Sequence, residues 1–358
     1  MNKLFNVIKR VFLIFVLVLS PVLVFANSEA GVLFLLIEPG SRPGAMGQAY
    51  VAAVDDGFAQ FWNPGAMAFN RKDQVAMMHT AWLGDIFDDM YYEYIGWNRY
   101  YEELQGNFGF HVLFLTLGKH EIRNSDNEPI GMFSAFDLAT AVSYGFQATD
   151  NLGLGLTFKF VYSDLAPSGA DGGGGGAGTK GRGMSYAFDF GAQYRNIFRI
   201  NGLNWGLNLQ NVGPNITYIN DDQSDPMPMN LKMGLSYKAY ENEFNRFMIT
   251  GDMNKLLAND DFVLKRIITA WSDDGGFMSK RERESTIFGA GAEYMYWNLI
   301  SLRAGWMYDK AGSIIGPSFG VGIQYTFQDR FKTFFDFAFQ QGGELVDFNK
   351  TFSLGIEF

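Results

Sequence analysis

Residues 152–163, LGLGLTFKFVYS, carry the pattern from which the fold of this chain can be predicted. The even positions are large and apolar: Leu152, Leu154, Leu156, Phe158, Phe160 and Tyr162. The odd positions are mostly small or polar: Gly153, Gly155, Thr157, Lys159, Val161 and Ser163. Alternation with period two is typical of a β-strand whose two faces meet different surroundings. We therefore predict a strand with one apolar face and one small or polar face.

The same alternation recurs in residues 184–194, 203–210 and 319–327. A soluble sandwich would also alternate, so the period alone does not identify the fold class. Many of these segments run about 10 to 12 residues, which is the span of a tilted membrane strand. Their apolar faces often carry Tyr or Trp near one end, as the aromatic girdle of a membrane barrel requires. These two features favour a transmembrane β-barrel.

We predict about fourteen strands, an even number, as bacterial single-chain barrels have. They are placed near residues 75–82, 90–97, 107–117, 134–146, 152–163, 183–195, 202–211, 229–238, 244–253, 286–296, 299–309, 316–327, 331–340 and 350–358. The predicted long connections are 118–133, 164–182, 212–228 and 254–285, and they alternate with short links. Short periplasmic turns and long outer loops alternate in this way, so we expect the barrel to begin and end on the periplasmic side.

The composition supports one closed sheet. Aromatic residues make up 16% of the chain, Gly occurs 42 times and Cys is missing, which suits export without a disulfide framework. No apolar run after residue 26 is long enough for a membrane-spanning helix. The net charge of −10 argues against nucleic acid as a partner. The expected fold class is an all-β, transmembrane, antiparallel barrel.

The first residues have the features of a signal peptide. Lys3, Lys9 and Arg10 form a basic region, an apolar run follows at residues 11–19, and Ala26 ends a small-residue cleavage site. We therefore divide the chain into a signal peptide at 1–26, an N-terminal hatch or plug at 27–70 and a transmembrane barrel at 71–358.

The plug is predicted because residues 33–69 lack a regular period and contain several Pro and Gly residues, yet are rich in apolar side chains. An irregular apolar segment needs an enclosure that satisfies its backbone and its side chains. A fourteen-strand barrel leaves a lumen that its own side chains cannot fill. We expect this segment to lie inside the barrel.

The segment also carries a family resemblance. Its hatch motif consists of Arg42, Gly44, Met46, Gly47, Asp55, Asp56, Trp62, Asn63 and Pro64. Together with residues 34–37 (FLLI), this motif resembles the N-terminal signature of the PorV/PorQ family of outer-membrane barrels. That family is related to the FadL long-chain fatty-acid transporters, whose hatch has a similar Asn-Pro element.

The second half resembles the same family in order and spacing. The matching stretches are residues 252–257 (DMNKLL), 271–273 (WSD), 291–294 (GAEY) and 302–305 (LRAG), followed by Tyr308. Residues 258–262 (ANDDF) replace the proline-rich stretch that the resemblance leads us to expect. At the C-terminus Phe352, Leu354, Ile356 and Phe358 share one face, which resembles the signal read by the barrel-assembly machinery.

The resemblance implies a component of the type IX protein secretion system. Such a protein would be a multi-pass barrel in the lipid of a Gram-negative outer membrane. It would bind the C-terminal sorting domain of secreted cargo and carry that cargo from a giant translocon barrel to the surface sortase and attachment complex. Resemblance to FadL alone would imply a transporter of hydrophobic small molecules instead.

A lipid-modifying barrel enzyme is the third class, and it needs a Ser/His arrangement at the outer rim that the sequence does not offer. We therefore predict no enzyme activity, no cofactor and no metal site. His111 lies in the lumen phase and is expected to pack against the plug. The lumen-phase charges are expected to pair with one another and with Arg42, Asp55 and Asp56. These charges are Asp137, Lys159, Asp189, Lys232, Glu293, Arg303 and Asp336.

One outer loop is more apolar than a solvated loop needs to be. Its apolar residues are Phe262, Val263, Leu264, Ile267, Ile268 and Trp271, with Phe277 and Met278 further on. Exposed apolar patches usually mark a partner site, so we expect this loop to dock the translocon or the cargo. The alternative, packing of the loop on the barrel rim or over the lumen, stays open.

Overall fold

The computed structural model describes residues 30–124, 126–166, 181–218, 224–259, 261–272, 276, 279–328, 330–344 and 346–358. The predicted signal peptide lies outside the described residues, as do Phe277 and Met278.

The described chain forms one antiparallel sheet that closes on itself. Its strands are β1 (Gln74–Ala81), β2 (Met90–Tyr101), β3 (Gly106–Arg123), β4 (Pro129–Gln147), β5 (Leu152–Ala166), β6 (Gly181–Tyr194), β7 (Leu203–Val212), β8 (Ile216–Thr217), β9 (Ser224–Asp225), β10 (Asn230–Glu241), β11 (Asn245–Leu256), β12 (Thr286–Tyr296), β13 (Ile300–Asp309), β14 (Ile314–Phe327), β15 (Phe331–Gln341) and β16 (Phe348–Glu357). Closure comes from β1 pairing with β16, in a register that sets Gln74 opposite Glu357. The short β8 and β9 lie outside the ring, so the prediction of fourteen barrel strands is confirmed.

The two faces of the wall match the alternation in the sequence. In β5 the side chains of Phe158 and Phe160 are exposed on the outside, whereas Thr157 and Lys159 are fully buried on the inside. The outer surface therefore presents large apolar side chains, and the inner surface presents small and polar ones.

The two ends of the barrel differ. The short-turn end carries the connections 102–105, 148–151, 195–202, 242–244, 297–299 and 328–330. The first barrel strand begins at this end and the last one finishes there. The long-loop end carries the remaining connections. The expectation that both ends of the barrel chain lie on one side is confirmed, and the assignment of that side to the periplasm stays a prediction.

The prediction of a loop at 118–133 is wrong for most of these residues, which belong to strands β3 and β4. β3 and β4 continue pairing as far as Arg123 and Pro129, which leaves only a tight turn. The period-two signal fails here because β3 has a register irregularity after Thr116, so its later side chains no longer follow the barrel phase.

Short helices complete the fold. They are α1 (Ser41–Ala45), α2 (Ala59–Trp62), α3 (Val263–Thr269) and α4 (Lys280–Glu284), with 3₁₀ turns at Leu33–Leu36, Pro64–Phe69, Glu102–Leu104 and Ile197–Arg199. In the part of the chain that the structure describes, none of these helices has the length and hydropathy of a membrane span.

The core lies between the N-terminal segment (residues 30–70) and the inner face of the wall. Phe61 and Trp62 of the segment are fully buried in one apolar cluster with Tyr94 and Leu113 of the wall. The backbone itself touches the wall at Gly47, which has φ +64°, and a Cβ there would lie 2.5 Å from the carbonyl oxygen of Trp306. Only glycine combines this backbone conformation with so close an approach.

Candidate functional site

A buried network around Arg42 fastens the N-terminal segment to the wall. The guanidinium of Arg42 binds both carboxylate oxygens of Glu293, at 2.8 and 3.0 Å, and donates to Asp55 at 2.5 Å. On the wall, Arg303 links Glu293 at 2.7 Å to Asp336 at 2.5 Å. The expectation that the lumen charges pair with one another and with Arg42 is confirmed for Glu293, Arg303 and Asp336, whereas Asp137 forms no ion pair among the described residues. The planar fork of Arg42 fits a carboxylate in two-point contact, which fixes direction as well as distance.

The pKa values of the two adjacent acids of the segment, Asp55 and Asp56, are shifted in opposite directions. Burial opposes the charge of Asp55, but the Arg42 guanidinium outweighs it and lowers the pKa of this carboxyl. At Asp56 burial prevails over Arg42, and the nearby Asp55 adds to it, so the pKa of Asp56 is raised. Tyr50 donates its hydroxyl to Asp56 at 2.5 Å, and burial holds the pKa of this phenol well above its usual value. Tyr50 therefore remains a proton donor at neutral pH.

Further ion pairs lie deeper in the barrel. Lys232 of β10 binds Glu38 of the segment at 2.5 Å, and its ammonium lies 4.4 Å from the Trp62 ring centroid. Lys159 and Asp189 pair at 2.9 Å within the wall, and both are fully buried. A buried charge requires a partner, and these pairs meet that requirement in the enclosed interior.

The Trp-Asn-Pro element holds two turns of the segment together. The indole of Trp62 donates to the carbonyl of Pro39 at 2.8 Å. The amide of Asn63 donates to the carbonyls of Val51 and of Ala192 in β6, at 2.9 and 3.0 Å. Its oxygen accepts from the backbone of Gly65, where Pro64 begins a 3₁₀ turn. One side chain thus joins two parts of the segment to the wall.

The remaining motif residues make close contacts. Gly47 donates its backbone N–H to the Ser318 hydroxyl at 3.0 Å, and Met46 is fully buried. A Cβ at Gly44 would lie 2.8 Å from the side-chain oxygen of Gln340 in β15. The small residues of the motif therefore stand where the segment approaches the wall.

Two contacts were missed by the sequence reasoning. Asp252 of β11 accepts the backbone N–H groups of Tyr50 and Val51, at 2.5 and 2.7 Å. Ser41 donates its hydroxyl to the carbonyl of Thr351 at 2.9 Å, and its backbone N–H to Ser353 at 2.8 Å. The only signal in the sequence was that Asp252 opens one of the stretches that carry the family resemblance.

His111 packs as expected against the segment. Its ring stacks on Tyr94 at 5.8 Å and meets Phe61 edge-on at 6.2 Å. Neither ring nitrogen has a hydrogen-bond partner among the described residues. In the same part of the chain, no group of three or more His, Asp or Glu is placed to hold a metal ion.

The apolar loop at the long-loop end divides into two faces. Val263, Ile267 and Trp271 pack against the cluster built on Leu257 and Met229 at the barrel rim. The other face exposes Phe262, Leu264 and Ile268. The interpretation that the loop packs on the rim holds for one face, and docking of a partner on the open face stays a prediction.

The C-terminal signal residues lie on the outer face of the last strand. Phe352, Leu354 and Phe358 are exposed, and Ile356 is half-buried. β16 pairs with both β1 and β15, so it completes the ring with its apolar side chains facing outward.

The closed fourteen-strand ladder with an apolar outer surface defines an outer-membrane β-barrel of the FadL type. The toluene transporter TodX from Pseudomonas putida is 14% identical, with a TM-score of 0.53 over 89% of this chain and 97% of that chain. The toluene transporter TbuX from Ralstonia pickettii is 14% identical, with a TM-score of 0.54 over 90% and 98%. A Pseudomonas aeruginosa FadL homologue is 10% identical, with a TM-score of 0.47 over 89% and 97%. Such likeness concerns the fold alone.

No curated protein is significantly similar to this chain in sequence. The family model described as type IX secretion system protein PorV matches residues 26–261, more than half of the chain. The chain therefore belongs to the PorV family of the type IX secretion system.

Proposed function

We propose that this protein is the outer-membrane barrel of a type IX secretion system. The barrel binds the C-terminal sorting domain of exported cargo. It then carries the cargo from the translocon barrel to the surface sortase and attachment complex. It acts by binding rather than by catalysis. Its apolar outer face lies in the lipid of the outer membrane, with the short-turn end in the periplasm.

We propose further that the N-terminal segment acts as a plug. Arg42, Glu38 and Asn63 join it to β12, β10 and β6, and Ser41 joins it to β16, outside that run of strands. Moving the segment would break these contacts together and leave buried charges without partners, at a cost of several kcal/mol for each pair. A fixed plug supports function at the rim rather than flow through the lumen.

The observation that carries the proposal is the open face of α3. Phe262, Leu264 and Ile268 are exposed at the long-loop end, although the opposite face of the same segment is anchored on the rim. An exposed apolar surface on an element that packs on the rim is suited to a protein partner, because covering it removes apolar area from water. We propose that this surface contacts the translocon or the cargo.

The test replaces Phe262, Leu264 and Ile268 together with Ser. The barrel should remain folded in the outer membrane, because the packed face is untouched, while cargo accumulates in the periplasm or stays unreleased. Phe198→Ser is the matched control, since Phe198 is 82% exposed on a short turn at the other end. Deletion of residues 258–280 should have the same effect as the triple replacement. Normal secretion from both would refute the assignment.

A second function, transport of hydrophobic small molecules, is favoured by one groove. It has a volume of about 620 Å³ and lies between α3 and the outward aromatic residues Tyr186 and Phe188. Restored growth on long-chain fatty acids in a transporter-deficient host would support transport. Secretion failure without such rescue would support the secretion role.

A further inference from the structure

The hairpin of β3 and β4 extends beyond its neighbours at the long-loop end. The last pair between β2 and β3 is Met90 with Leu117, and β5 first pairs with β4 at Phe136. Residues 118–123 and 129–135 therefore form a two-stranded ribbon, here called the β3–β4 ribbon. Neither outer edge of this ribbon pairs with another strand among the described residues.

The β3 edge of the ribbon is protected against pairing. It carries Lys119, Glu121 and Arg123, and the last two form an ion pair at 2.6 Å. The backbone N–H of Lys119 is already taken by the Asp89 carboxylate at 2.8 Å. Charged side chains and a capped backbone are the devices by which natural sheets keep an edge from binding other strands.

Within the part of the chain that the structure describes, the β4 edge has no such protection. Residues 129–135, PIGMFSA, contain no charged side chain. Ile130 and Met132 are 64% and 60% exposed, and Pro129 stands only at the start of the strand. An uncharged edge with exposed apolar side chains is a template for pairing with another chain.

The polar backbone and the apolar side chains of this edge indicate which kind of ligand can bind to it. Lipid chains would suit Ile130 and Met132, but they cannot satisfy the free N–H and C=O groups beside them. Water would satisfy the backbone, but it leaves both side chains exposed. An extended strand satisfies both, because it supplies main-chain hydrogen bonds and places alternate side chains against the apolar pair.

We propose that the β4 edge, residues 130–135, is a strand-addition site for an extended segment of the cargo's C-terminal sorting domain. This inference rests on the proposed function, since it takes the cargo as the partner. The edge spans about 20 Å at the rise of a β-strand, enough for a segment of six residues with apolar side chains at alternate positions. It lies at the same end of the barrel as the exposed face of α3.

The first test measures binding of a purified sorting domain from a secreted protein of the same bacterium to the purified full-length barrel. The double variant Ile130→Lys/Met132→Lys should bind at least tenfold more weakly, while its melting temperature stays unchanged. Phe198→Lys at the short-turn end should bind like the wild type. Equal binding by the double variant overturns the edge site and leaves the proposed function standing, whereas no binding by the wild type overturns both.

The second test follows backbone hydrogen exchange. Alternate N–H groups of β4 point toward β3 or away from it, so about half of the amides in residues 130–135 should exchange rapidly in the free barrel. The sorting domain should slow that half and leave residues 118–123 unchanged. Unchanged exchange in the complex overturns the proposal. Full protection in the free barrel also does so, since another part of this chain would then cover the edge.

Discussion

The two ends of this barrel use polar and apolar residues in opposite ways. At the short-turn end Arg42, Glu293 and Arg303 are buried and paired. At the long-loop end it is the apolar side chains of Phe262 and Ile130 that are exposed. The buried charges form a network that fixes the N-terminal segment, whereas the exposed apolar side chains form a surface that can receive a partner. Charges are costly to move once buried, whereas exposed apolar groups gain free energy only when something covers them.

The strongest challenge to this contrast is removal of Trp62 and Asn63 together. Trp62→Ala should cost about 3–5 kcal/mol through the cavity it leaves. Asn63→Ala leaves the carbonyls of Val51 and Ala192 without this donor, at about 1–3 kcal/mol. The free energy of unfolding, from guanidinium titration of the purified barrel, should fall accordingly. An unchanged value would remove the claim that these residues fix the segment.

A second experiment compares one ion pair at each end. Arg42→Met should cost about 3–5 kcal/mol, because Glu293 and Asp55 lose a buried partner. The control is Arg182→Ala, which removes an arginine side chain that is 46% exposed and pairs with Asp164 at 2.8 Å. The control should cost less than about 1 kcal/mol. Equal losses in the two variants would contradict the distinction between the ends.

The smallest expected effect separates the adjacent acids by pH. The pKa of Asp55 is lowered in the folded state, so its stabilising contribution exists above its unfolded pKa and is lost as the pH falls through the folded pKa. Asp55→Asn should therefore lower the melting temperature at pH 7, and the difference should vanish in acid below that lowered pKa.

The control is Asp56→Asn. The pKa of Asp56 is raised, so the folded state loses stability as the pH rises through it, and Asn still offers an acceptor to Tyr50. Its melting temperature at pH 7 should equal or exceed that of the wild type. A drop as large as that of Asp55→Asn would show that the two acids are equivalent.

Much of the wall was predictable because the membrane imposes a simple rule on each strand. Phe158 faces out and Lys159 faces in, and that alternation can be read from the sequence. The lumen charges were predictable for the same reason, since an inward charge needs a partner.

The β3–β4 ribbon was not predictable, because a register irregularity after Thr116 breaks the alternation from that point on. The role of Asp252 was hidden as well. It binds backbone N–H groups, which every residue except proline possesses and no sequence pattern marks.

The hydrogen bonds of Ser41 to Thr351 and Ser353 join residues 310 and 312 positions apart. The N-terminal segment is thus held by the last strand of the barrel. Long-range contacts form late in folding, since the intervening chain must first be ordered. We therefore expect the segment to reach its final position only when β16 closes the ring. On this expectation, ring closure and seating of the segment form one concluding step of assembly, and a barrel stalled before it would be open at both the seam and the lumen.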